Sequence, residues 1–264
     1  YFEPILEGSK TETEDYPYPI YGEPDDLAVV DLSLFSPDFK GKTIIGRVEG
    51  KTFVPYQDRE EIDDEGALED KAPILAYVRD PVQLFFLHVQ GSGKVRFQDG
   101  RIMSLRYQRK NGRPYRSIGK LLIEEGKISN TEMSMQKMHE YLSAHPEEIS
   151  RVLNYNPSYV FFSIADGGPF GAINVKLTPE RSLAIDRSLF PLSALAFIEV
   201  KKPVTDNDKI IEWKDCSRFM LNQDTGGAIT GPARADIFWG SGTYAEIAAG
   251  HLKHRGNLYI LVLK

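Results

Sequence analysis

Between Ile74 and Tyr107 the apolar positions come in short runs. "ILAYV" (Ile74–Val78) and "VQLFFLHVQG" (Val82–Gly91) are rich in β-branched and aromatic residues, and Asp80-Pro81 divides them. Both read as strands. "KVRFQDGRIMSLRY" (Lys94–Tyr107) alternates apolar and polar on either side of Asp99-Gly100. That pattern predicts a hairpin whose type I′ turn has positive φ at both central residues. The period then lengthens. "SIGKLLIEEG" has a capping Ser117, apolar Ile118, Leu121 and Leu122, and a stopping Gly126. "SMQKMHEYLSAH" sets Met135, Met138 and Leu142 on one face, and "PEEISRVLNYN" opens on Pro146 and carries Ile149, Val152 and Leu153. All three predict helices. Past "NPSYVFF" the helical period stops. "AINVKL", "LAIDRSLF", "LAFIEV", "SRFMLNQD" and "LYILVL" are short apolar runs split by Gly, Pro, Asp and Asn, the rhythm of a small β-barrel. The change of regime near Phe161–Gly168 predicts a domain boundary. The first 70 residues are rich in Pro, Gly and acids, and "EDYPYPIYGEPDD" (Glu14–Asp26) among them reads as extended irregular chain. "QDREEIDDEGALEDK" (Gln57–Lys71) reads as a solvated, helical or exposed segment.

Composition narrows the classes. The 264 residues suffice for one large or two small domains, and 41% hydrophobic with 27% charged residues is ordinary for a globular chain. The net charge of −6 comes without a basic block, which argues against nucleic-acid binding. Aromatics at 11% are compatible with a sugar-binding groove, although most must serve the core. A single cysteine, Cys216, excludes an internal disulfide, and "WKDCSRF" supplies no histidine to make it a nucleophile. No window of 18 uncharged apolar residues exists to span a membrane. The chain opens on "YFEPILEGS" as if in the middle of a protein, so a leader or N-terminal region would be invisible here.

Candidate chemistry reduces to carboxylates. Among five histidines only His251 and His254 are spaced for a shared helical face, and neither has an acidic or cysteine companion at ligand spacing; no metal or cofactor is expected. "GSG" occurs twice without making G-x-S-x-G, and no phosphate-loop pattern is present. Asp186, Asp224 and Asp236 lie at strand ends or beside glycines. Each could be a turn or cap bonding nearby amides. Asp236 precedes Ile237, Phe238 and Trp239, and a carboxyl beside such rings loses hydration, which favours the protonated form a general acid needs.

At these residues the chain resembles the membrane-bound lytic murein transglycosylase A family. "NQDTGGAITGPARADIFWGSG" carries the likeness. "YFEP", "YPYPIYGEPDDL", "FFLHVQGSG", "YQRKNGRPYRSIGKLLIEEGKI", "NPSYVFF", "LTPERSLAIDRSLFPL" and "GNLYILVLK" extend it in order over nearly the whole chain. The resemblance implies a mainly β protein: a double-psi β-barrel from residues 1–5 and 163–264, an inserted β-rich domain with a few helices from residues 6–162, and a groove between them. It implies non-hydrolytic cleavage of the β-1,4 bond between N-acetylmuramic acid and N-acetylglucosamine, leaving 1,6-anhydromuramoyl ends. The catalytic acid falls on Asp236. Asp224, Asp186, Gly226 and Gly227 take supporting or substrate-binding places, and Gln90, Ser92, Tyr107, Asn111, Tyr115 and Ser117 are expected along the groove. The implied partners are peptidoglycan strands, a lipid anchor outside this chain and wall-synthesis proteins, for a periplasmic, outer-membrane-anchored monomer that needs no cofactor. Two alternatives stay open: an inverting β-1,4-glycan hydrolase using Asp224 and Asp236, and a non-catalytic wall-binding module.

Overall fold

The computed structural model describes residues 1–227 and 229–262. The chain divides into two units: Leu6–Gly91 with Val95–Ile164, and Tyr1–Ile5 with Ser92–Lys94 and Ala165 onward. They are called here the insert unit and the acid-bearing unit.

The insert unit is organised by a six-stranded sheet. Its members are β1 (Ile5–Ser9), β2 (Tyr18–Tyr21), β6 (Ile74–Val78), β7 (Ser92–Phe97), β8 (Ile102–Lys110) and β9 (Val160–Ala165), in the order β2-β6-β1-β7-β8-β9. A separate three-stranded sheet joins β3 (Ala28–Asp31), β4 (Thr43–Glu49) and β5 (Thr52–Pro55). The early residues are therefore more regular than their Pro and Gly content predicts. The alternation around Asp99-Gly100 is realised as the β7–β8 hairpin, with Val95, Phe97, Met103 and Leu105 buried. The expected type I′ turn is not. Only Gly100 has positive φ (83°), and the Phe97 carbonyl accepts from Gly100 N at 2.9 Å, so the turn is the longer kind with one left-handed glycine. Gly8 is needed for close approach: a Cβ there would lie 2.4 Å from Val95 Cγ1 and 2.8 Å from Tyr77 O.

The run Val82–Gly91, expected as a strand, is instead the helix α2 (Pro81–Gln90). Asp80 caps it, accepting from Val82 N at 2.8 Å and Gln83 N at 3.1 Å. Pro81 stands in the first turn and Gly91, at φ 77°, ends it. The helix is covered on two sides. Leu84 and Leu87 join the sheet's core, while Val82, Phe85 and Phe86 pack with Ile118, Leu122 and Leu142 from the following helices. Apolar residues all round erase the 3.6-residue period that would have identified it. Those helices, α3 (Ile118–Glu124), α4 (Met135–Ala144) and α5 (Ile149–Asn154), lie where the spacing predicts, with Ser117 and Ser134 as N-caps.

Gln57–Lys71 is not simply a solvated face. It forms the short helix α1 (Arg59–Asp63), opened by a capping box between Asp58 and Glu61. Arg59 is fully buried. It donates to Asn156 O (3.1 Å), Ser158 O (2.8 Å) and Asp63 Oδ2 (3.2 Å), and its guanidinium lies 4.8 Å and 4.9 Å from the rings of Phe85 and Tyr159. Each of the three guanidinium nitrogens that burial strips of water finds a partner.

The acid-bearing unit holds a five-stranded sheet, β13-β10-β12-β11-β14, from β10 (Ser182–Ile185), β11 (Leu195–Asp206), β12 (Lys209–Asp224), β13 (Ala235–Ile237) and β14 (Asn257–Ile260). A long hairpin joins β11 to β12, turned by Asn207 and Asp208 at φ 46° and 59°, the conformation a type I′ turn requires. β10 pairs parallel with β12 and antiparallel with β13. "AINVKL" is a loop with an isolated bridge at Lys176. A helix not anticipated from the pattern, α6 (Thr243–His251), follows β13. Leu263 of the predicted last strand lies outside the described residues. The mainly β class is as expected, whereas the double-psi closure remains an expectation of the resemblance. No helix is long and apolar enough to cross a membrane, among the described residues.

Candidate active site

Three aspartates converge at one end of the acid-bearing sheet. Ala184, near the end of β10, is the register partner of Asp224 on β12 and of Asp236 on β13. Partners directly across neighbouring strands project to the same face, so the two acids flank a buried alanine in one row. Their Cα atoms stand two strand spacings apart, about 9.5 Å. A bulge makes this row possible. Leu183 pairs with Asn222, but Ala184 pairs with Asp224, skipping Gln223. Asp186 follows Ala184 by two residues, just past the end of β10, which keeps it on the same side by strand alternation.

The acids have different surroundings. Asp224 is half-buried. Its Oδ2 accepts from Tyr1 Oη at 2.9 Å, and its Oδ1 from the amides of Ala172 (3.0 Å) and Thr225 (2.9 Å). Burial raises its pKa above the ordinary carboxylate range, outweighing those three donors, which act the other way. Asp186 makes a turn. It accepts from the Ser188 hydroxyl (2.6 Å), from Ser188 N (2.9 Å) and from Gly231 N (2.8 Å), and these bonds, the serine hydroxyl foremost, lower its pKa. It thus pins the glycine-rich loop to the end of β10. Asp236 is gripped by Arg234, whose Nε and Nη2 reach the two carboxyl oxygens at 2.9 Å each. Phe238 and Trp239, the expected aromatic wall, are buried in the core, and this guanidinium is a polar partner of Asp236.

The remaining nominated residues do not act alike. Gly226 turns the chain after β12, its carbonyl accepting from Ile229 N at 2.9 Å, and Gly227 is exposed beside it. Ser92 opens β7, half-exposed. Tyr107 and Tyr115 are exposed on the insert unit, and Gln90 ends α2 with its amide 3.8 Å from Met135 Sδ. One expectation needs correction. Asn111 is wholly buried: its amide nitrogen donates to Gln57 O and Pro157 O, both at 2.8 Å, and its oxygen accepts from Tyr159 N at 3.0 Å. It clasps three backbone segments and is closed to a ligand. Ser117 is exposed, its hydroxyl oxygen capping α3 by accepting from Lys120 N at 3.2 Å. Sequence reasoning missed Tyr1 and Arg234. Arg234 could have been found from its i, i+2 relation to Asp236 on extended chain; Tyr1, 223 residues from Asp224, gives no local signal.

The sheet and its row of acids define a mainly β protein with a carboxyl-bearing strand end, built with an inserted α+β unit. Residues 1–163 match the model of the MltA specific insert domain and residues 181–262 that of the 3D domain. The chain is 35% identical over 264 residues to the membrane-bound lytic murein transglycosylase A of Escherichia coli K12, spanning 99% of this chain and 64% of that protein's length. The crystal structure of a membrane-bound lytic murein transglycosylase from Agrobacterium tumefaciens superposes with a TM-score of 0.87 at 36% identity, covering 98% of this chain and 72% of that one. E. coli MltA with bound chitohexaose gives a TM-score of 0.79 at 33% identity, covering 98% and 69%. The chain belongs to the membrane-bound lytic murein transglycosylase A family.

Proposed function

We propose that this chain carries a lytic transglycosylase site acting on peptidoglycan, with Asp236 as the single acid and base. The observation that carries the reading is the Asp224–Ala184–Asp236 row. It sets two carboxyls on one face, one of them held by Tyr1 and two backbone amides and the other gripped by a half-exposed arginine. Chitohexaose bound to an E. coli relative supports a β-1,4-linked glycan as the occupant. A glycosidic oxygen approaching Asp236 takes the place of Arg234 on one carboxyl oxygen. Protonated Asp236 then gives its proton to that oxygen as the C1–O bond breaks, and the bonding pair leaves with the N-acetylglucosamine. The carboxylate next removes the proton from the muramic acid's own C6 hydroxyl as O6 attacks C1. The ring closes to the 1,6-anhydro product, and Asp236 is protonated again. No water is consumed. The C6 hydroxyl competes with water because it is already held beside C1. Asp224 holds the loop and tunes charge beside the reacting sugar. The setting that follows from the family is the periplasmic face of the outer membrane.

Digestion of purified murein, with products read by mass spectrometry, tests this. The expected result is 1,6-anhydromuramoyl ends with no label taken up from 18O-water, and a loss of at least about 100-fold in release for Asp236→Asn with wall binding retained. Labelled reducing ends would instead mark a two-carboxylate hydrolase. Binding without release by either protein would mark a wall-binding module.

A further inference from the structure

Tyr1 touches both sides of the acid row. Its main-chain nitrogen donates to Ile237 O at 2.8 Å, and its carbonyl accepts from Trp239 N at 2.9 Å. Those two bonds seat it alongside the segment that immediately follows Asp236. Its ring packs against Phe238, centroids 5.3 Å apart. From that seat its hydroxyl reaches across to Asp224 Oδ2 at 2.9 Å. Glu3 N continues the attachment, donating to Gly240 O at 2.7 Å. One residue is therefore bonded through its backbone to the strand of one acid and through its side chain to the carboxyl of the other.

We infer that Tyr1 is a positioning residue: a brace that fixes the orientation of the Asp224 carboxyl relative to Asp236. Burial, then the Asp224 charge, drives the Tyr1 hydroxyl far above the usual phenol range, so it stays a donor throughout the working pH range. The other two donors on Asp224, the amides of Ala172 and Thr225, both engage Oδ1. Among the bonds described, Tyr1 supplies the one to Oδ2. Without it the carboxyl keeps its place on the loop but loses the contact that fixes its rotation about the Cβ–Cγ bond.

The inference rests on the transglycosylase reading above, and the test separates the two. Tyr1→Phe keeps the ring, its packing and the backbone bonds, and deletes only the hydroxyl. In the full chain, Tyr1→Phe is expected to lower kcat for murein cleavage about tenfold, with KM within twofold of wild type, the melting temperature lowered by a few degrees at most and the transition still cooperative. In an Asp224→Asn background, itself slower than wild type, adding Tyr1→Phe is expected to change kcat by less than twofold, because the phenol acts through that carboxyl. Wild-type kcat in Tyr1→Phe, or the same tenfold loss with Asp224 already replaced, overturns the brace while leaving the transglycosylase reading intact. A wild type that releases reducing ends overturns that reading instead, and the same cycle is then scored on hydrolysis. A wild type that releases nothing overturns both.

Discussion

Asp224 and Asp236 present the same functional group in two settings, and the settings differ in what each can do. Asp236 has a half-exposed arginine forked onto it, a partner within reach of solvent. Asp224 is sunk among fixed donors and yet has a raised pKa, because loss of hydration outweighs them. The sign of its effect on stability follows. A folded-state pKa above the unfolded value of about 3.9 means that the native state binds this proton more tightly. The contribution to stability is then fully present below about pH 4 and is lost as pH rises through the folded pKa. At pH 7 the ionised carboxyl is a net cost. Asp224→Asn, whose amide oxygen can accept from Ala172 N and Thr225 N while its nitrogen donates to the Tyr1 phenol oxygen, is expected to melt at a higher temperature than wild type at pH 7, with the gain shrinking towards pH 4, as measured by calorimetry at both values. A lower midpoint at pH 7 would mean that the three donors dominate. That acids sit at this place was legible from "NQDTGG" and "RADIFWG". What surrounds each of them was not. The rings after Asp236 promised a desolvating wall and are buried in the core instead, while the phenol on Asp224 arrives from the opposite end of the sequence.

Among elements, the pattern was readable in several with one face towards water and unreadable in α2, where both faces are covered. β7, β8, α3 and α4 each keep a polar side, and their periods of two and 3.6 stood out. α2, clothed by the sheet on one side and helices on the other, showed only a β-branched and aromatic run, and Asp80-Pro81 read as a break between strands rather than as a helix cap. Ion pairs between elements were likewise invisible. Glu148, just before α5, accepts from Lys127 Nζ (2.9 Å), Arg151 Nη2 (2.7 Å) and Tyr141 Oη (2.9 Å), and so ties together α4, α5 and the loop after α3. These donors, Lys127 foremost, hold its pKa down to about 2. Being depressed, it contributes stability above the unfolded value of about 4.3, and that contribution is lost as pH falls from there through 2. The residue lies at the surface, where water and salt weaken such pairs. Glu148→Gln is therefore expected to lower the melting temperature by a few degrees at most at pH 7 and by a fraction of that at pH 2, followed by circular dichroism across that range. A gap that is undiminished at pH 2 would show that the side chain acts by packing rather than by charge.

At the scale of the whole molecule, the acid-bearing unit is assembled from three stretches of chain, two of them only five and three residues long: Tyr1–Ile5 and Ser92–Lys94. Segments that short carry no hydrophobic period, so no pattern in the sequence could announce Ser92–Lys94 as part of this unit. Their contacts are nonetheless substantial. Glu3 is buried, its Oε2 2.7 Å from Lys94 Nζ, and Lys94 N donates to Pro4 O at 2.8 Å. Tyr1 and Glu3 satisfy Ile237 O, Trp239 N and Gly240 O, and Phe2 is buried. A polypeptide of residues 165–264 alone would leave those three backbone groups and the ring of Phe238 without their cover. Each unpaired buried group costs about 1–3 kcal/mol, against a total stability of about 5–15 kcal/mol for a whole domain. Three such losses together with uncovered apolar surface consume most of that margin. The fragment is expected to show no cooperative thermal transition in near-ultraviolet circular dichroism, under conditions where the full chain melts sharply. A cooperative transition in the fragment would show that the long C-terminal stretch holds the acid row by itself, and the 223-residue separation of Tyr1 from Asp224 would then be incidental to folding.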